Sequence, residues 1–225
     1  MDAPEAGQKM GKKADTIARI LQQARILFWN EGYSNVTTQR IADNAGITKG
    51  LLTHYFPRKR DIVAEINFID FSRIYSYAYE RTGNDAFLSY IITLYTLRKA
   101  FCTQPQLRQI SEEAFARRSG GVNLNTLTER DSVYIEIIKQ FNINMNLDDI
   151  HHKVIMSNGA SSALAAHFYS GDSGMSLDEY LKTSVMICGA MLEIPYFIRT
   201  SYYDRAMELI DRGEIPEFDY LNNNY

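Results

Sequence analysis

Cysteine is nearly missing from this chain, with Cys102 and Cys188 its only two residues of that type. Two thiols so far apart fit buried side chains in a reducing compartment. They are too few for a disulfide framework or a cysteine-held metal cluster. Histidine is scarce too, at four residues. His151, His152 and His167 fall on one expected helix, yet His152 has no histidine three or four positions away, so no metal site is expected. Long apolar runs are also missing. The longest uncharged one near the C-terminus, Thr183 to Leu192, is well short of the roughly 20 residues that cross a bilayer. A charged, amphipathic segment follows Lys9, Lys12 and Lys13 where a secretory leader would be apolar, so a cytoplasmic protein with no membrane partner is expected. The chain lacks a glycine-rich phosphate loop after a strand, a metal-ligand motif and a nucleophile elbow. Acidic pairs such as Glu112-Glu113 and Asp148-Asp149 are adjacent and so diverge on a helix. Neither an enzyme nor a cofactor is expected.

What remains is ordinary globular material. Hydrophobic residues make up 45% and charged residues 23% of 225 positions, enough for one or two domains with a sizeable core. The net charge of −3 conceals a division, because residues 1–60 hold ten Lys/Arg against five Asp/Glu and the remainder is acidic. A basic head on an acidic body suits a DNA-contacting domain joined to one that does not touch DNA.

Helical periodicity dominates, with no hairpin dipeptide between alternating strands and no internal repeat. Residues 1–14, with Pro4, Gly7 and Gly11, read as a flexible arm. From Asp15 to Asn30, Ile17, Ile20, Leu21, Ala24, Leu27 and Phe28 form one stripe, and Gly32 follows where a left-handed cap is wanted. Thr37 can cap a short helix that ends at Gly46, and Thr48 can cap a second one that ends at Pro57. Two short helices around a glycine turn with a basic flank form a helix-turn-helix pattern. Further helices are expected over 58–81, 85–103, 106–118, 126–141, 148–169, 177–199 (kinked or frayed at Pro195) and 203–212.

Phe28-Trp29-Asn30-Glu31-Gly32-Tyr33, then Thr37, Ile41-Ala42, Ala45-Gly46-Ile47-Thr48-Lys49-Gly50, then Tyr55-Phe56-Pro57-Arg58-Lys59, resemble the N-terminal domain of TetR-family regulators over about residues 15–62. Many members carry Tyr where this chain has Thr53. The run Thr53-His54-Tyr55-Phe56 is similar to a subset that includes regulators of choline and betaine metabolism. The resemblance implies an all-α protein with a DNA-binding domain over 15–60 and a larger helical effector-binding and dimerisation domain over 61–225. It implies a ligand-responsive regulator, by family default a repressor, that binds a palindromic operator as a homodimer.

A recognition helix lays its outer side chains on base edges in the major groove. Its expected readers are Thr48, Lys49, Leu51, Thr53 and His54, with Gly50 allowing close backbone approach. Thr37, Thr38, Tyr55 and Lys59 are expected to hold phosphates, Lys59 at the family's common lysine position. Ile41, Ile47, Leu52 and Phe56 should be core. The resemblance also implies a dimer interface on the last two long helices, where Gly159, Ala163, Ala166, Gly189 and Ala190 would permit close approach. It implies a pocket for an unknown small-molecule effector, with Tyr75, Tyr95, Tyr134 and His167 as candidate lining residues. The competing reading is a helical protein-interaction module whose helix-turn-helix no longer binds DNA.

Overall fold

The computed structural model describes the backbone of residues 3–115 and 127–222, and the side chains of residues 12–114 and 132–222. Ten helices and no strand occur among the described residues: α1 (Ala3–Glu31), α2 (Thr38–Asn44), α3 (Lys49–Tyr55), α4 (Lys59–Arg81), α5 (Ala86–Thr103), α6 (Pro105–Phe115), α7 (Leu127–Gln140), α8 (Leu147–Tyr169), α9 (Leu177–Met191) and α10 (Tyr196–Asp211). The all-helical class expected from periodicity is therefore observed.

The chain divides into two compact units. The first comprises Met1–Asp70, Gln104–Ala116 and Asp219–Asn223. It thus takes in α6 and the C-terminal segment besides the residues expected for a DNA-binding domain. Its core is built from the α1 stripe (Ile20, Leu21, Ala24, Leu27 and Phe28), joined by Val36, Ile41, Ala42, Leu52, Phe56, Ile62, Val63 and Ile66, all buried. Ile41, Leu52 and Phe56 are core as their spacing predicts, while Ile47 is half-buried.

The second unit comprises Phe71–Thr103, Arg117–Phe218 and Asn224–Tyr225. Its axis is α5, buried on every side from Ala86 to Thr93 and packed by α7, α9 and α10. A helix so enclosed must satisfy its polar groups internally. Ser89 and Thr93 donate their hydroxyls back to the carbonyls of Asp85 and Ser89, at 2.6 and 2.7 Å. Gln140 from α7 closes the α5 N-terminus, accepting the Phe87 N–H at 3.0 Å.

Two boundaries depart from the sequence reading. The segment expected as an arm is helical from Ala3 onward. Pro4 sits in a first turn that needs no N–H, and Gly7 and Gly11 cost a helix only about 1 kcal/mol each. Residues 177–199 are not one helix: α9 stops at Met191, Glu193 turns left-handed at φ 63°, and Pro195 caps α10. Proline lacks the N–H that a continuing helix would bond, so it separates the two helices rather than kinking one. The expected ends of the 106–118 and 126–141 helices, at 118 and 126, lie outside the described residues.

Candidate nucleic-acid interface

The turn between α2 and α3 is built by a left-handed C-cap. Gly46 has φ 65°. Its N–H donates to the Asp43 carbonyl at 3.1 Å and the next N–H, of Ile47, donates to Ala42 at 3.0 Å. These two bonds satisfy carbonyls that the end of α2 would otherwise leave open. Thr37 and Thr48 cap the two helices as expected, their hydroxyl oxygens accepting the N–H groups of Arg40 at 3.1 Å and Leu51 at 3.2 Å. In each, the hydroxyl proton stays available for another acceptor.

This arrangement sorts the side chains of α3. Leu52 and Phe56 are buried, whereas Thr48, Lys49, Gly50, Leu51, Thr53 and His54 are exposed. An outward row bearing a cation, hydroxyls, an imidazole and an apolar tip has the donor and methyl chemistry that base edges require. Leu51 is one of the few large apolar residues left exposed, at 38%. Nothing lies within 4 Å of where a Gly50 Cβ would stand, so its missing side chain serves no packing need inside the protein. Tyr55 is half-buried with its ring edge-on to His54, the centroids 5.3 Å apart. Thr38, the first residue of α2, is half-buried.

Lys59 behaves differently from a free cation at the start of α4. Its ammonium donates to the carbonyls of Tyr33 at 2.6 Å and Val36 at 2.7 Å, and stands 4.0 Å from the centre of the Tyr33 ring. An ammonium has three donors, so one remains for a phosphate. Burial pushes the Lys59 amine below its ordinary pKa. Arg58 is paired with Asp61 and Arg40 with Glu31, both on the protein surface. Glu113 of α6 also holds the α1–α2 connection, a role the sequence gives no sign of. Its carboxylate accepts the Ser34 N–H at 2.8 Å and the Gln109 amide at 2.7 Å, and these bonds hold it below the usual carboxylate range.

In the second unit the expected dimer residues separate into two groups. Gly159, Ala163 and Ala166 lie exposed along α8 with Met156, which is 55% exposed. Ala190 is exposed on α9. Gly189 is buried, and a Cβ there would meet Phe87 Cζ and Arg199 Cδ at 2.8 Å each. Its small size therefore serves close packing against Phe87 and Arg199 of the same chain. Sequence reasoning missed Tyr196 and Phe197 on α10, exposed by 66% and 73%. The break at Pro195 places them at the start of α10, where they line a shallow surface depression with Thr200 and Ser201.

Of the four pocket candidates, Tyr75 and Tyr134 belong to one buried cluster, Tyr95 packs against it half-buried, and His167 is exposed. Tyr75 is buried, stacks on Phe71 and Tyr79, and donates its hydroxyl to Glu136 at 3.0 Å. Tyr134 is buried with its hydroxyl 3.1 Å from that of Tyr90, beside Cys188, whose thiol burial pushes up to about 12. Tyr95 is half-buried near Lys99 and Asp178, and His167 is exposed. Among the described residues no group of His, Cys, Asp and Glu is arranged to hold a metal, and no helix is long and apolar enough to cross a membrane.

With this geometry in place, comparison with known proteins is informative for one segment. No curated protein matches the chain. Among solved structures, the TetR family protein CprB from S. coelicolor A3(2) is 21% identical, covering 86% of this chain and 97% of its own, with a TM-score of 0.40. A gamma-butyrolactone receptor described as ArpA-like is also 21% identical, over 88% of this chain and 97% of its own, with a TM-score of 0.39. Residues 20–66 match the sequence profile of bacterial regulatory proteins of the tetR family. The matched stretch runs from the α1 core stripe, through the Gly46 turn and α3, into α4, and is similar to the helix-turn-helix domain of that family.

Proposed function

We propose that this protein is a ligand-responsive transcriptional regulator, acting as a repressor in the cytoplasm, that binds a palindromic operator as a homodimer through α3 in the major groove. The observation that carries the reading is the outward face of α3, held by a capped turn in a segment that matches the tetR-family profile. Lys49 donates to guanine O6 and N7 or to a phosphate, Leu51 and Thr53 meet thymine methyls, and His54 and Thr48 complete the row. Gly50 lets the helix backbone close on the duplex. Thr37, Thr38, Tyr55 and the remaining donor of Lys59 take phosphates and set register. The Thr53-His54-Tyr55-Phe56 run is similar to the choline- and betaine-regulator subset. That likeness concerns the reading helix and says nothing of the effector.

The dimer face combines Gly159, Ala163 and Ala166 of α8 with the exposed rings of Tyr196 and Phe197 on α10. Small residues allow close helix approach, and exposed aromatics of this size mark interaction surfaces. A two-fold molecule sets paired α3 helices on half-sites about 34–36 Å apart. The effector, an apolar or cationic small molecule, is received among the aromatic residues of the second unit around Tyr75, Tyr90 and Tyr134. It acts by shifting the population of dimers whose heads match the operator, which takes several kcal/mol of differential affinity.

Selection from a random duplex pool tests the proposal. Recovery of a two-fold symmetric sequence is expected. Lys49→Ala or Thr53→Ala should then change the preferred bases within each half-site. Recovery of no sequence above background would favour the interaction-module reading, and an unchanged preference in both variants would place base readout elsewhere.

A further inference from the structure

The last described residues of the chain are built into the first unit, not left as a tail. Tyr220 is only 1% exposed. Its ring stacks on Trp29 with centroids 5.4 Å apart at 24°, and the Arg25 guanidinium lies 4.5 Å from its centre. Arg25 and Trp29 are four residues apart on α1 and so share a face. The Tyr220 ring occupies the space beside both.

Arg25 is where three stretches, distant in sequence, are joined. Its guanidinium makes a two-pronged pair with Asp70 of α4, Nη1 to Oδ2 at 3.1 Å and Nη2 to Oδ1 at 2.5 Å. Nη1 also donates to the Tyr220 backbone carbonyl at 2.7 Å. Both charged partners are buried, at 8% and 2% exposure. A buried ion pair is favourable only when its remaining donors are satisfied and water is kept out. The Tyr220 carbonyl meets the first condition and its ring the second. The Asp219 carboxylate fixes the turn, accepting the N–H groups of Leu221 at 2.9 Å and Asn222 at 3.1 Å and the Asn222 amide at 2.6 Å.

We propose that residues 219–222 are a positioning strap of the reading head: through Arg25 they fix α1 against α4, and the head discriminates its operator fully only with the strap in place. This rests on the DNA-binding reading above. The supporting logic is mechanical. α1 supplies the core stripe on which α2 and α3 are seated, and α4 follows directly from α3. Fixing α1 to Asp70 therefore fixes the frame that aims the outer face of α3. The chain enters the strap from the second unit at Phe218–Asp219, so the strap is also a covalent lead into the head from the segment after α10.

The test compares the full-length protein with Tyr220→Ala, Tyr220→Phe and a chain stopped after Phe218. Each is titrated against the selected duplex and a random duplex, and amide exchange is followed in α1 peptides around Arg25. Tyr220→Ala and the stopped chain should exchange faster there. They should lose at least about tenfold in affinity for the selected duplex and distinctly less for the random one, a loss of about 1.4 kcal/mol or more in operator binding. Tyr220→Phe keeps ring and carbonyl and should match the parent. An unfolded fraction would weaken both duplexes by one factor and leave their ratio alone, so the ratio separates positioning from mere stability. If Tyr220→Ala loses its helix content, Tyr220→Leu is judged by the same criteria. An unchanged ratio, or equal losses in the Ala and Phe variants, overturns the strap. If the parent retains no duplex, the DNA reading fails instead, and unchanged α1 exchange in Tyr220→Ala then decides against the strap separately.

Discussion

Gly50 and Gly189 are both helical glycines, and the structure gives them opposite surroundings. Around Gly50 there is open space, so Gly50→Ala should raise thermal stability, by at most about 0.5–1 kcal/mol from helix propensity. If the backbone closes on DNA there, the same change should weaken duplex binding by about tenfold or more. A stable variant with parental affinity would remove Gly50 from the interface. At Gly189 a methyl would stand 2.8 Å from Phe87 and Arg199. Gly189→Ala should therefore destabilise the subunit by about 1–3 kcal/mol through overpacking, read by denaturant melts. A parental melt with a changed oligomeric state would return Gly189 to the dimer face. Smallness in a sequence signals close approach but not to what: Gly189 is packed against Phe87 and Arg199, while Gly159 has open space around it. Lys59 is similar: its position and charge were legible, but the carbonyls of Tyr33 and Val36 that take two of its donors were not.

At the level of elements, the short helices of the head were the most legible part of the chain. Each end carries a chemically specific residue: Thr37 and Thr48 at starts, and Gly46 at the turn. Gly46→Ala must force a side chain into φ 65° and should cost the first unit about 1–2 kcal/mol, with Gly46→Asn costing less. Equal stability of the Ala variant and the parent in a chemical melt would mean that the turn relaxes out of the left-handed region. The division of α9 from α10 was legible only through Pro195. Its left-handed residue is Glu193, where composition gives no glycine or asparagine to mark the stop. Residues 3–14 misled in the opposite sense, since Pro4, Gly7 and Gly11 suggest a loose segment yet are tolerated in a helix. Local chemistry thus located boundaries where a cap residue is present, and at α9–α10 it marked Pro195 but not the left-handed stop at Glu193.

For the molecule as a whole, the sequence conveyed a basic segment joined to a larger helical body, and the structure has two compact units. It could not show that α6 and residues 219–222 join the first unit, because Glu113 and Tyr220 act through contacts with Ser34 and Arg25 far away along the chain. Nor could it separate core from pocket, since aromatic residues at helical spacing serve both: Tyr75 and Tyr134 are buried, Tyr95 is half-buried and His167 is exposed. Assembly is testable at this scale. Phe197→Asp alters a side chain 73% exposed and should leave helix content unchanged while turning a dimer into a monomer by light scattering at micromolar concentration. A dimeric mass in that variant would move the interface away from α10.

The central claim, that the exposed face of α3 reads duplex DNA, is tested most directly by titrating the protein against its selected duplex over a range of salt concentrations. The logarithm of affinity should fall linearly with the logarithm of salt, and the selected duplex should be held at least about a thousandfold more tightly than a random one. Lys49→Ala should narrow that gap. Failure to retain either duplex at low ionic strength, or equal retention of both, would contradict the account.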